Sequence, residues 1–148
     1  MLDFDTEVKL YVYRVIAESG RAPTGTEVAQ AFDRPVTEVE AAFQRLYQKR
    51  LLVLEPDNPS KIRMAPPFSN VKTSFQVQVG KKVYYANCVW DALGIPAALH
   101  EEAEVSASDA WTNEPIPLQV RSGHPVPQEC VIHFAVPAAH WWDDIIYT

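Results

Sequence analysis

The hydrophobic pattern of this 148-residue chain changes its period once, near residue 66, and that change limits the architectures open to it. Before it, apolar residues recur at helical spacing. Val8, Tyr11, Val12, Val15 and Ile16 follow i, i+3, i+4, i+7, i+8, one face of a helix over 5–19. Gly20 ends it, as the residue that accepts left-handed geometry after a helix. A short helix is expected from about Thr26, read as its N-cap, with Val28, Ala31 and Phe32 inward, until Asp33-Arg34-Pro35 breaks it. A third helix spans about 36–50, with Val39, Ala42, Phe43 and Leu46 on its apolar stripe and Glu38 and Glu40 in its first turn. Residues 51–54, a Pro/Asn/Asp turn and Ile62-Arg63-Met64 then read as two strands. Three helices followed by such a hairpin predict a winged-helix lobe over residues 1–65.

Ala65-Pro66-Pro67 reads as a linker, because consecutive prolines remove donors and hold an extended path. Beyond it the period becomes two. Phe75, Val77 and Val79 alternate with Gln76 and Gln78, and Gly80-Lys81 turns the chain into Val83-Tyr84-Tyr85, a hairpin. A short helix over 88–93 is expected to end near Gly94, with Pro96 opening another turn. Strands follow at 103–108 and 116–120, joined by Thr112-Asn113-Glu114-Pro115. A loop over 123–128 leads to a further strand at 131–136, which places His133 in the core or on a sheet face. Pro137 starts a helix over about 138–147. The expected class is α+β: a three-helix winged lobe packed on a mixed-sheet lobe with short helices, the latter covering residues 66–148.

Charge narrows the function of the first lobe. A DNA reader needs Lys or Arg near the start of its recognition helix and phosphate contacts around it. Here that start is Val36-Thr37-Glu38-Val39-Glu40, and residues 1–60 hold seven Lys/Arg against ten Asp/Glu. A scaffold role is expected rather than DNA binding, and the net charge of −6 argues against bulk attraction to nucleic acid or anionic lipid. No stretch approaches the roughly 20 apolar residues of a membrane span. The acidic Met1-Leu2-Asp3-Phe4-Asp5 start lacks a secretory pattern, so a cytoplasmic location is expected. In that reducing compartment Cys88 and Cys130 should not pair, and two isolated cysteines do not make a structural zinc site.

The segment Tyr85-Ala86-Asn87-Cys88-Val89-Trp90-Asp91 sits where a strand gives way to a helix. A cysteine at a helix N-terminus should have its pKa lowered by the positive end of the helix dipole. Asp91, three residues on, faces the same side one turn later, which sets a soft nucleophile beside a proton carrier or second ligand. On spacing alone the plainer reading stays open: a small buried apolar cysteine, and an aspartate that helps cap a helix. His100, Glu101, Glu102 and Glu104 read as a solvated acidic face. Trp141-Trp142 read as a cap on the core or as walls of an apolar pocket.

Tyr84-Tyr85-Ala86-Asn87-Cys88-Val89-Trp90-Asp91-Ala92-Leu93-Gly94-Ile95-Pro96, then Ala103-Glu104-Val105-Ser106 and Thr112-Asn113-Glu114-Pro115-Ile116, resemble the core of the organomercurial (alkylmercury) lyases. The preceding winged helix is also that family's arrangement. The resemblance implies cleavage of a carbon–mercury bond by protonolysis and a role in mercury resistance. It makes Cys88 and Asp91 the catalytic residues and the ligands to mercury, with Cys88 as thiolate and Asp91 as proton carrier. It implies no organic cofactor, an organomercurial small molecule as substrate, and small external thiols that remove Hg(II). A second family cysteine would align just after Thr148, and Cys130 is not its match. Asp109 stands where some members carry an additional, non-catalytic cysteine. The alternatives are a noncatalytic homologue, or a winged-helix ligand- or metal-binding regulator that retains half the site.

Overall fold

Asp3 opens the first helix: its carboxylate accepts from the Thr6 N–H and the Thr6 hydroxyl, both at 3.0 Å, which meets donors a helix start otherwise leaves unpaired. Helix α1 (Phe4–Ser19) closes on Gly20 at φ 77°. In this computed structural model, which describes residues 2–109 and 111–146, the chain divides into two compact units, 1–71 and 72–148.

In the first unit α1 buries Val8, Val12 and Ile16 as its spacing predicts. It also buries Asp5, one turn before Val8 on the same face. A carboxylate there requires cations, and Arg45 at 2.7 Å and Lys49 at 3.5 Å supply them. The Arg45 guanidinium holds the Asp5 carboxyl below the usual carboxylate range. Helix α2 (Gly25–Phe32) is capped by Thr24, not by the expected Thr26, because Thr24 and Glu27 form a capping box in which each side chain accepts from the other's backbone N–H. Val28 and Ala29 face inward, while Ala31 is exposed. Helix α3 (Val36–Gln48) buries Val39, Ala42, Phe43 and Leu46, the predicted stripe.

Strands β1 (Val53–Glu55), β2 (Asn58–Ala65) and β3 (Phe68–Ser69) form an antiparallel ladder. Pro66-Pro67 is therefore not a linker. It turns β2 into β3, with Ala65 paired to Phe68, both buried, and the Tyr13 hydroxyl donating to the Pro66 carbonyl at 2.8 Å.

The second unit holds β4 (Phe75–Val79), β5 (Lys82–Ala86), α4 (Val89–Leu99), β6 (Ala103–Ser108), β7 (Pro115–Arg121), β8 (His124–Val126) and a 3-10 turn at Ala138–Asp143. Its strands lie in the order β5-β4-β6-β7-β8. The α+β class holds, but each pairing described is antiparallel where a mixed sheet was expected. Tight links such as Gly80-Lys81 and Ser122-Gly123 admit only antiparallel neighbours.

Helix α4 runs through Gly94 and Pro96 instead of stopping near Gly94, and ends where His100 turns left-handed at φ 56°. Its buried face, Ala92, Ile95 and Pro96, packs on β4, β5 and β6, which bring Val77, Tyr84 and Val105 to the core. That burial outweighs a helix-breaking preference of roughly 1 kcal/mol for glycine and 3 for proline. Residues 131–136 form no strand. Among the described residues the last strand is β8, and Pro125 and Pro127 deprive its neighbourhood of the donors a further strand would need. His133 is exposed in irregular chain, so it is neither a core nor a sheet-face residue. The expected final helix is a 3-10 turn ending at Asp143, and Tyr147 lies outside the described residues.

Candidate active site

Strand β5 ends at Ala86, whose carbonyl accepts from the Thr73 hydroxyl. Two residues later Cys88 takes the N-cap position of α4 in extended geometry (φ −148°, ψ 176°), and its carbonyl accepts the Ala92 N–H at 2.9 Å. Asp91 falls in the first turn. The corner thus brings the two residues together, the Cys88 thiol and the Asp91 carboxyl close enough that each shifts the other's proton affinity. The backbone N–H groups of Trp90 and Asp91 are directed at the sulfur without closing a capping hydrogen bond.

Burial sets the electrostatics of this pair. Both residues are half-buried. Desolvation pushes the Cys88 thiol up, and the Asp91 charge adds to it, against the smaller pull of the two backbone N–H groups. The expected lowering of the thiol pKa by the helix N-terminus is therefore reversed, because removal of water from the sulfur outweighs the dipole. Asp91 is pushed up to about 6 by the same burial, partly offset by the bond from Cys88. The arrangement holds a protonated thiol against a carboxyl able to accept or release a proton near neutral pH, the combination general acid–base chemistry requires.

Other candidate residues separate from this pair. Cys88 and Cys130 are free thiols, Cys130 exposed. Among the described residues no three of His, Cys, Asp and Glu cluster as metal ligands, so Cys130 does not join Cys88 and Asp91 as a third one. His100, Glu101 and Glu102 line a cavity of about 520 Å³ with Leu93, Pro96 and Val120, at the far end of α4. Glu102 and Glu104 are exposed, as expected of a solvated face, and both pair with Arg121. A second cavity of about 340 Å³ lies over Gln76, Gln78 and Ser106. Neither cavity is lined by Cys88 or Asp91. Asp109 folds its own loop by accepting from the Trp111 and Thr112 N–H groups at 2.9 and 2.8 Å.

One aromatic cluster near the pair has no counterpart in the sequence pattern. Trp90, between Cys88 and Asp91, meets Phe134 edge-to-face at 6.2 Å, and Phe134 meets Trp141 at 5.0 Å. The Trp141 indole N–H donates to the Val136 carbonyl at 2.8 Å. Trp141 belongs to the tryptophan pair expected to cap the core or to wall an apolar pocket. Phe134 gave no signal, because it sat in a segment read as strand.

Comparison with known proteins bears on the same segment. The family profile described as alkylmercury lyase (MerB) matches residues 68–148. A solved structure, the mercury-bound form of MerB2, shares the fold at a TM-score of 0.63 and 24% identity, over 82% of this chain and 61% of that one. The chain thus spans less than two thirds of the length of that protein. No curated protein matches significantly. With more than half of its residues matched by the profile, the Cys88–Asp91 corner among them, the chain belongs to the alkylmercury lyase family.

Proposed function

We propose that the chain is a carbon–mercury lyase whose protonolysis runs through Cys88 and Asp91. The observation that carries this is the thiol–carboxyl contact at the start of α4, within the family-matched segment, with the Asp91 carboxyl at about 6. Mercury is soft and prefers thiolate. As Cys88 sulfur bonds the metal of an organomercury cation, its proton passes to the Asp91 carboxylate. The Asp91 carboxyl then returns that proton to the carbon. The carbon–mercury bonding pair goes to the new C–H bond, the hydrocarbon leaves, and Hg(II) stays between the Cys88 sulfur and an Asp91 oxygen. Two small thiols exchange onto the metal; one of their protons returns to the Cys88 sulfur and the other leaves through Asp91 to solvent, which restores the thiol and the carboxylate. The metal is substrate and product, and no organic cofactor takes part.

The test uses a Cys130→Ser chain, because an exposed thiol binds mercurials on its own account. One equivalent of phenylmercury should be captured, mass mapping should place it on the peptide that contains Cys88, and benzene should appear in the headspace, however slowly. Failure to capture phenylmercury in that chain would overturn the proposal.

Residues 1–71 act in this proposal as scaffold rather than as a DNA reader. At the start of α3, Glu38 faces Arg34 at 3.4 Å, and Glu40 accepts from the Ser60 hydroxyl, so that end offers phosphate no free cation. The expected result in about 0.15 M salt is no submicromolar binding to duplex DNA, because nonspecific contacts alone give roughly 10⁻⁴–10⁻⁶ M. Submicromolar binding that weakens with added salt would refute the scaffold role.

A further inference from the structure

We infer that Trp90 and Phe134 form a stacking wall for the organic group of the substrate and so favour aryl over alkyl mercury; the inference rests on the lyase reading above. Trp90 is rooted one residue from the proton donor and two from the thiol, yet 55% of its surface stays exposed, and Phe134 against it is 38% exposed. A single exposed apolar side chain needs no explanation, but two adjoining exposed rings, one of them rooted in the helical turn that carries the reactive pair, form an apolar surface with a use. The wall is fixed from behind. Phe134 packs on Trp141, whose indole is tied to the Val136 carbonyl. Trp90 and Phe134 meet at 72° and 6.2 Å, within the range in which ring edges and faces attract.

The chemistry of the substrate supplies the other half. Mercury bound to one sulfur and one carbon keeps those ligands opposite each other, so the organic group projects away from Cys88 and lies along whatever borders the corner. A phenyl group offers a face and an edge to Trp90 and Phe134. A methyl group offers neither, and gains only the small apolar area it covers. The two rings therefore act on choice of substrate and leave the Cys88–Asp91 proton transfer alone.

The experiment compares phenylmercury and methylmercury affinities in the full chain carrying Cys130→Ser, by competition against dithiothreitol. Trp90→Leu and Phe134→Leu should each lower the phenyl-to-methyl affinity ratio by about three- to tenfold, the range of one aromatic pair. Methylmercury affinity should stay unchanged, and Trp90→Phe should retain most of the preference. An unchanged ratio in both leucine variants, or equal weakening of both ligands, would overturn the inference while leaving the lyase reading in place. If Cys88→Ser still bound both mercurials at full affinity, the lyase reading and this inference would fall together.

Discussion

Asp91→Ala, made in the Cys130→Ser chain, should leave phenylmercury capture at Cys88 intact and slow benzene release by about 10²–10⁴-fold, the contribution typical of a positioned general acid. The split between capture and release follows from the geometry. In the proposed reaction the sulfur bonds the metal without Asp91, but the carbon then lacks the Asp91 carboxyl in the first turn of α4. Single-turnover measurement of bound mercury and released benzene reads both. Unchanged benzene release would remove Asp91 from proton delivery.

The same carboxyl predicts a pH effect on stability. Its folded value, about 6, lies above the ordinary 3.8, with burial as the main cause. A raised carboxyl contributes stability that is fully present below the unfolded value and is lost as pH rises through about 6. The full difference corresponds to roughly 3 kcal/mol, and partial exposure to solvent brings the expectation to about 1–2 kcal/mol. Asp91→Asn should flatten this slope and be the more stable chain at pH 7.5, by urea midpoint against the same pair at pH 5. A wild-type chain equally stable at both pH values, relative to Asp91→Asn, would show that the carboxyl ionises without penalty.

Cys88→Ser in the Cys130→Ser chain should bring phenylmercury capture below detection while preserving or slightly raising the thermal midpoint. The first expectation is chemical: a serine hydroxyl is a hard and weakly acidic ligand for a soft metal. The second is structural. Cys88 occupies an N-cap without making a capping hydrogen bond, and serine is among the best residues there, worth about 0.5–2 kcal/mol over a residue that cannot cap. The combination separates a reactive thiol from a packing one. If Cys88 served only as a small apolar residue, the serine would destabilise the fold and the mercurial would be indifferent to it.

Local patterns determined a good part of this protein. The 3.6-residue spacing located α1 and the buried stripe of α3, the period of two located the β4–β5 hairpin, and Gly20 closed its helix where expected. The Cys-x-x-Asp spacing placed thiol and carboxyl on one side of a strand-to-helix corner. All of these depend on neighbours within about a turn of helix or a pair of strands, which sequence spacing encodes directly. A signal for α2 was also present: Thr24-x-x-Glu27 is a capping box, and it starts the helix where Thr26 does not.

Tertiary structure decided the rest. Pro96 does not break α4, because packing on the sheet offsets the lost helix bond, and no window of sequence contains that packing. Asp5 lies buried in a helix that looked simply amphipathic, because Arg45, forty residues away, arrives to hold it. Phe134 reaches Trp90 across more than forty residues of chain, from a segment whose alternation promised a strand that does not form. The direction of the Cys88 shift reversed for the same reason. A helix N-terminus is visible in sequence, but the extent to which the folded chain removes water from the sulfur is not, and desolvation is the larger effect.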